Sequence, residues 1–507
     1  MISRRRFQRC LSLIASFSVT LPSLLSIGCG GSGASSGGSG GGTPPPSNAK
    51  EWTWISGNNS AGAASTLNGS YGTEGVASAS NIPAGRDGAV SWIDGSGNLW
   101  LFGGGVFDPL GTHGPQNDLW EYDPTSKEWT WVGGCSTSPC NKLGIYGTEG
   151  TAASANVPGG RSASVSWVDS DGNLWLFGGD GYDSMGQNYL LNDLWEYSPS
   201  TKQWTWVSGN NLVNGTANYG ALGVAAATNV PGARQNAVSW KDNNGNFWLF
   251  GGEGFDPSGG FGSLNDLWEF SPSSKEWTWM SGGSAINVRG VYGTLAATAG
   301  GSVPGSRYNA VSWADSSGNL WLFGGFGYDS TGSPYDLNDL WEFSPADKQW
   351  TWMSGTGAVS TVAGSGLCVP GVYGTEGTAA AANVPGGRNG AVSWISTNGN
   401  LWLFGGLGCD ASGTAGSLND LWVFSTTSKT WTWQSGSNSV GAAQGGTGGQ
   451  AGSYGTQGTA AASNMPGGRS GSVSWVDSRG NLWLFGGAGH DSTGAYGLMN
   501  DLWSYTP

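Results

Sequence analysis

The stretch from Pro304 to Gly355, PGSRYNAVSWADSSGNLWLFGGFGYDSTGSPYDLNDLWEFSPADKQWTWMSG, recurs in recognisable form six times along a chain of 507 residues. The arginine of its PGxR-like turn stands at Arg86, Arg161, Arg234, Arg307, Arg388 and Arg469, at intervals of 75, 73, 73, 81 and 81 residues. The NDLW tetrads beginning at Asn117, Asn192, Asn265, Asn338, Asn419 and Asn500 keep the same intervals. A fixed long period means units that bury their apolar surface against one another, so length alone does not set the number of domains.

Each unit carries four strand signals. In the fourth unit they are residues 309–313 (NAVSW), 320–323 (LWLF), 340–343 (LWEF) and 350–353 (WTWM). The second is apolar throughout and predicts burial on both faces. The fourth places its two tryptophans on one face, because side chains alternate along a strand. A Gly-containing turn at 315–319 joins the first two signals, and Gly324-Gly325 breaks the chain after the second. With 93 glycines and only 11% charged residues, the composition suits many strands joined by tight turns. All 30 tryptophans fall at repeat positions, which makes them packing residues rather than sugar-stacking ones.

Four-stranded sheets arranged radially are the propeller solution to such a pattern. The units resemble kelch repeats, on two specific motifs. One is the GlyGly doublet at 103–104, 178–179, 251–252, 324–325, 405–406 and 486–487. The other is an aromatic followed seven places on by Trp, as in Tyr122/Trp129, Tyr197/Trp204, Phe270/Trp277, Phe343/Trp350 and Phe424/Trp431. The units average about 77 residues against about 50 for kelch, because about 28 residues separate each fourth strand from the next first strand. The sixth unit ends at Leu502-Trp503-Ser504-Tyr505-Thr506-Pro507 without a Trp-Thr-Trp strand, and residues 51–54 (EWTW) supply one with no partners of its own. The expected fold is therefore all-β: a six-bladed β-propeller of four-stranded kelch blades over residues 50–507, closed by residues 51–54 in the last blade.

Residues 1–29 read as an export leader: basic at Arg4, Arg5, Arg6 and Arg9, apolar from Leu11 to Ile27, then small. Ser3-Arg4-Arg5-Arg6-Phe7 resembles the twin-arginine motif, although the apolar run also suits the general export route. Ser26-Ile27-Gly28-Cys29 resembles a bacterial lipobox, with Ser26 where Leu is usual, and implies lipidation at Cys29. Residues 30–49 form a Gly/Ser/Pro-rich tether that spans about 25 Å as a coil and up to about 65 Å stretched. The expected location is the bacterial cell envelope as a lipoprotein, or the exterior, with membrane contact through the lipid anchor alone. The formal charge is −14, and without the leader arginines it is about −18, which argues against a nucleic-acid partner.

In a propeller the fourth-to-first and second-to-third connections share one face, and here these are the long ones, so that face is expected to bind. The second-to-third connections carry Asp-x-x-Gly at Asp108, Asp183, Asp256, Asp329, Asp410 and Asp491, a type I turn signature. One carboxylate per loop is too few for calcium. The six arginines could ring a channel mouth and catch a carboxylate, or pair internally with the NDLW aspartates. Since a ligand site usually breaks repeat symmetry, the candidate binding residues are the irregular aromatics Phe107, Tyr182, Tyr189, Phe255, Phe261, Tyr328, Tyr335 and Tyr496. Cys409 and His490 replace the aromatic in the last two units, and the aromatics could equally pack over the blade tops. The six tyrosines Tyr71, Tyr146, Tyr219, Tyr292, Tyr373 and Tyr454 read as structural. Cys135 with Cys140, and Cys368 with Cys409, are expected as disulfides, in keeping with export.

No cofactor or metal site is expected. Kelch propellers include copper oxidases, but His113 and His490 stand at unequal positions and the units number six, so that chemistry is not indicated. No Gly-rich phosphate loop of the Lys-Ser/Thr type occurs, and residues 50–507 hold no GxSxG. The functional expectation is a non-catalytic binding or scaffold module for a protein or a glycan. The enzymatic alternative implied by the resemblance is a sugar mutarotase, with Glu74, Glu149 or Glu376 near an arginine as acid or base.

Overall fold

A computed structural model describes residues 50–61, 68–107, 112–137, 140, 142–359, 368–441 and 447–507. The leader, Cys29, the tether and Asp108 lie outside the described residues. Among the described residues the chain is all β, with strands joined by turns and no helix.

The fourth unit shows how the pattern folds. Val311–Ala314, Leu320–Phe323, Leu340–Ser344 and Gln349–Ser354 pair in that order as an antiparallel sheet. Leu320–Phe323 is buried at every residue, as an apolar strand in the middle of a sheet requires. Trp313 opposes Trp321 and Phe343 opposes Trp350, so the large rings meet across the sheet. At the hairpin, Asp315 Oδ1 accepts from the backbone N–H of Ser317 and Asn319, and Oδ2 accepts from the Trp321 indole (2.9 Å each). The same four-strand order recurs from Val90–Ile93, from Val238–Lys241 and from Val392–Ile395.

What the sequence presents as a second-to-third loop is a second ladder. Gly324 and Gly325 adopt φ of +64° and +89°, which swings the chain without ending it. Phe326–Tyr328 then pairs with Pro334–Asp336 on one side and with Arg307–Tyr308 on the other. In the second unit the strands run straight through as Leu174–Tyr182 and Asn188–Ser198. The glycine pair also lets neighbouring units touch: the Gly325 N–H donates to Arg388 O (2.8 Å), and a Cβ at Gly324 would stand 2.8 Å from that same oxygen.

Successive sheets are joined at their innermost strands. The Ser166 hydroxyl donates to Ser91 O, Ser239 to Ser166 O, Ser312 to Ser239 O, Ser393 to Ser312 O, Ser474 to Ser393 O, and Ser91 to Ser474 O, all at 3.1–3.2 Å. The cores lie between sheets: Val238, Trp240 and Phe250 of one unit pack with Leu320, Leu322, Trp341 and Trp350 of the next. Glu51–Ser56 pairs antiparallel with Leu502–Thr506, and Trp52, 1% exposed, packs on Trp394, Phe404, Trp503 and Tyr505. Trp52 thus occupies the place that Trp129 or Trp350 holds in other units.

One buried polar knot recurs in every unit. The Arg307 guanidinium donates to both oxygens of Asp339 (2.7 and 2.8 Å), to Gly324 O (2.9 Å) and to Gly305 O (3.1 Å). Asp339 Oδ2 also accepts from the Tyr292 hydroxyl (2.6 Å) and the Trp341 indole (2.7 Å). Arg86–Asp118, Arg161–Asp193, Arg234–Asp266, Arg388–Asp420 and Arg469–Asp501 repeat the pair, each at most 1% exposed. A buried guanidinium left without its carboxylate is expensive. Asp339→Ala is therefore expected to cost about 3–5 kcal/mol in a urea titration, whereas Glu74→Ala on the surface changes stability by less than about 0.5 kcal/mol. Equal, small effects of the two would contradict this account of the knot.

Candidate functional site

The sequence-derived candidates separate into residues that the fold uses and residues that it leaves available. The arginines belong to the first class. Each donates to its aspartate and to backbone carbonyls, so none is an open fork at a channel mouth. The space along the innermost strands is lined instead by the Ala-Val-Ser segments, such as Ala89-Val90-Ser91 and Ala310-Val311-Ser312. The repeated tyrosines are structural: Tyr71, Tyr146, Tyr219, Tyr292, Tyr373 and Tyr454 all donate to the NDLW aspartates, and all but the half-buried Tyr71 are buried.

The turn aspartates are saturated as well. Asp329 Oδ1 accepts from Thr331 and Ser333 N–H, and Oδ2 accepts from Val359 N–H in the following insert (2.8 Å). Asp183, Asp410 and Asp491 make the same double use of their oxygens, the last through Ala61. Burial by itself would raise the carboxyls of Asp329, Asp410 and Asp491, but these hydrogen bonds hold them below the ordinary range. Both disulfides, Cys135–Cys140 and Cys368–Cys409, are formed. Cys368 also bridges to Asp336 through the backbone, so the second disulfide fixes an insert beside that carboxylate.

Glu74, Glu149 and Glu376 are exposed, and none has an arginine partner among the described residues. The histidines are far apart in character. His113 is exposed and 3.4 Å from Asp87, which raises its pKa chiefly through that hydrogen bond. His490 is 1% exposed against Tyr496, and burial pushes it down. Among the described residues no three His, Cys, Asp or Glu side chains gather as a metal site.

The irregular aromatics are not equivalent. Tyr189, Phe261 and Tyr496 are exposed, while Phe107, Tyr182, Phe255, Tyr328 and Tyr335 are half-buried. Three of the eight come together: Tyr189 lies 6.2 Å from both Phe255 and Phe261, which lie 5.5 Å from each other. Tyr189 opposes Gly181, on the face of its ladder away from Asp180 and Tyr182, and so reaches the ladder of the next unit. Tyr496 and Phe107 instead pair with His490 and His113, and Tyr335, opposite Gly327, takes the other face of its ladder.

Register then shows what the sequence reading passed over. Opposed residues of an antiparallel ladder share a face, as do alternate residues along a strand. Gln235, Glu253, Phe255, Phe261 and Ser263 therefore share one face. Tyr308, Phe326, Tyr328, Pro334 and Asp336 share the corresponding face of the next unit. The residue after each GlyGly doublet is Gly105, Asp180, Glu253, Phe326, Leu407 or Ala488, and the residue after each arginine is Asp87, Ser162, Gln235, Tyr308, Asn389 or Ser470. These two positions vary while their flanks repeat, and that was the available signal.

Among the described residues no lysine or arginine pairs with Asp180, Glu253 or Asp336, the carboxylates on this arc. Glu253 accepts from Gln235 (3.0 Å), and burial raises it above the ordinary range despite that bond. Asp180 is raised by burial and partly lowered by His113. Asp336 accepts from Asn389 (2.7 Å), yet burial raises it from 3.8 to about 7. Burial raises the hydroxyls of Tyr189 and Tyr308, and each feels the Glu253 charge as well. Tyr308 stacks near Phe326 at 5.4 Å. The arc thus offers ring faces beside hydrogen-bond acceptors, a surface suited to hydroxyls or ammonium groups and unsuited to anions.

Comparison with known protein families and with characterised proteins returned no match.

The raised Asp336 carboxyl has a stability signature. Its contribution is fully present below pH 3.8, where the group is neutral folded or unfolded, and is lost as pH rises toward about 7. Asp336→Asn removes the penalty, so the variant should gain stability relative to the parent between about pH 3.5 and pH 8. A difference that does not change with pH would contradict the assigned shift.

Proposed function

We propose that this chain is a six-bladed propeller of the kelch type, closed by residues 51–56 in its last blade, that serves as an exported, lipid-tethered glycan-binding module. The closure reading draws support from the pairing of Glu51–Ser56 with Leu502–Thr506 and from the serine bonds that link each inner strand to the next. The two disulfides are compatible with an extracellular or periplasmic setting.

The observation that carries the glycan reading is the trio Tyr189, Phe255 and Phe261 beside Glu253. Tyr189 and Phe261 are 43% and 42% exposed and have no part in the inter-sheet cores. Exposed rings next to acceptor carboxylates are the chemistry that stacks on a sugar face and fixes its hydroxyls.

Asp336 favours a second reading. A carboxyl titrating at about 7 suits a general acid or base, as a sugar mutarotase requires. Accelerated anomer exchange in a sugar NMR spectrum, lost in Asp336→Asn, would establish it.

The binding reading is tested with the purified protein on a broad glycan array. Saturable binding is expected, and Tyr189→Ala and Phe261→Ala should each weaken it about tenfold with the melting temperature unchanged. A blank array, or variants that bind as the parent does, would overturn the assignment.

A further inference from the structure

We propose that the glycan is cationic: a polysaccharide bearing free amino groups, whose ammonium sits at Glu253 beside the Tyr189, Phe255 and Phe261 rings. This inference rests on the glycan reading and adds the charge of the sugar.

Glu253 has no counter-charge bonded to it among the described residues. Its carboxylate has one protein partner, the neutral Gln235 amide, and no lysine or arginine pairs with it among the described residues. Six arginines that might have neutralised this arc are committed to their own buried aspartates. His113, the one cation-forming group that acts on Asp180, is already engaged by Asp87. Half-buried carboxylates at Asp180, Glu253 and Asp336 therefore stand along one arc with amides as their only bonded neighbours, or none. A partly desolvated anion without a counter-charge is costly to keep, and a ligand that supplies the positive charge recovers that cost.

The aromatic groups are an independent observation that narrows the ligand. Tyr189 comes from one unit and Tyr308 from the one after the next, and both hydroxyls feel the Glu253 charge. A carboxylate beside aromatic rings is the arrangement that holds an ammonium by cation–π attraction and a charge-assisted hydrogen bond together. Phe255 and Phe261 share the Glu253 face and provide the apolar floor for a pyranose ring. The two chemistries lie side by side at the spacing of one ladder. A uronic or sialic acid would meet these carboxylates with like charge, which disfavours acidic sugars as ligands. A neutral sugar could stack on the trio but would leave Glu253 uncompensated.

The test uses three oligomers of equal length and the same β-1,4 linkage that differ only at carbon 2: glucosamine, N-acetylglucosamine and glucose. Oligolysine serves as a fourth probe. Affinities are measured with the intact protein by calorimetry near pH 6.5 at low and at raised salt. The glucosamine oligomer should bind at least about tenfold tighter than the other two, and the advantage should shrink with salt. Glu253→Gln should remove the advantage of glucosamine over the glucose oligomer, with a melting temperature no lower than the parent's, since a carboxyl that burial penalises is replaced by a neutral amide. Asp180→Asn is a second variant on the same arc and should reduce the preference in the same direction.

Equal affinity for all three oligomers would overturn the cationic assignment and leave the glycan reading standing. Binding of oligolysine alone would overturn both and point to a basic peptide. Failure of every probe would overturn both as well.

Discussion

A guanidinium and a carboxylate, both removed from water, hold each repeat together. Desolvating two charges is repaid only when geometry is good and the remaining lone pairs and protons are satisfied. Here they are: Asp339 takes two bonds from Arg307, one from Tyr292 and one from Trp341, while Arg307 also reaches two backbone carbonyls. Those contacts tie together the PGxR turn, the GlyGly break, the NDLW segment and the insert that precedes the unit. Each of these stretches repeats in the sequence because each is one side of the same knot. The same logic explains why the arginines are unavailable to a ligand.

A scaffold fixed in this way frees the outer face of each small ladder. The positions after the arginine and after the glycine doublet contact neither the knot nor the inter-sheet core, and there the six units diverge. Divergent side chains from adjacent units converge on the Glu253 face, where Tyr189 meets Phe255 and Phe261. Tyr189 illustrates the principle. It is placed by the ladder of one unit, yet its ring completes the surface of the next.

Much of the architecture was legible in the sequence. The apolar run at Leu320–Phe323 and the Trp-x-Trp strand at Gln349–Ser354 announced themselves by pattern, and residues 51–54 did so by lacking partners. The ladders after the glycine doublets were not legible. Strands of three residues such as Glu253–Phe255 show too little alternation to detect, and a positive-φ glycine pair reads as a stop. The aromatic candidates were chosen as breaks in symmetry, and of the eight Tyr189, Phe255 and Phe261 form a cluster. Asp180, Glu253 and Tyr308 stand immediately beside motif residues, and a search for repeated letters passes over them. Asp336 was invisible for another reason: its carboxyl is shifted by burial that involves an insert pinned through Cys368, a contact far away in the chain.

The account's central claim is that a repeated scaffold carries one site, on the arc around Glu253, and not one site per repeat. The direct measurement is the stoichiometry of a short glucosamine oligomer in titration calorimetry with the intact protein. The account predicts a single site per chain, abolished together with its heat when Tyr189 and Phe261 are both replaced by Ala. A stoichiometry that approaches the number of repeats, or single-site binding that survives that double replacement, would contradict it.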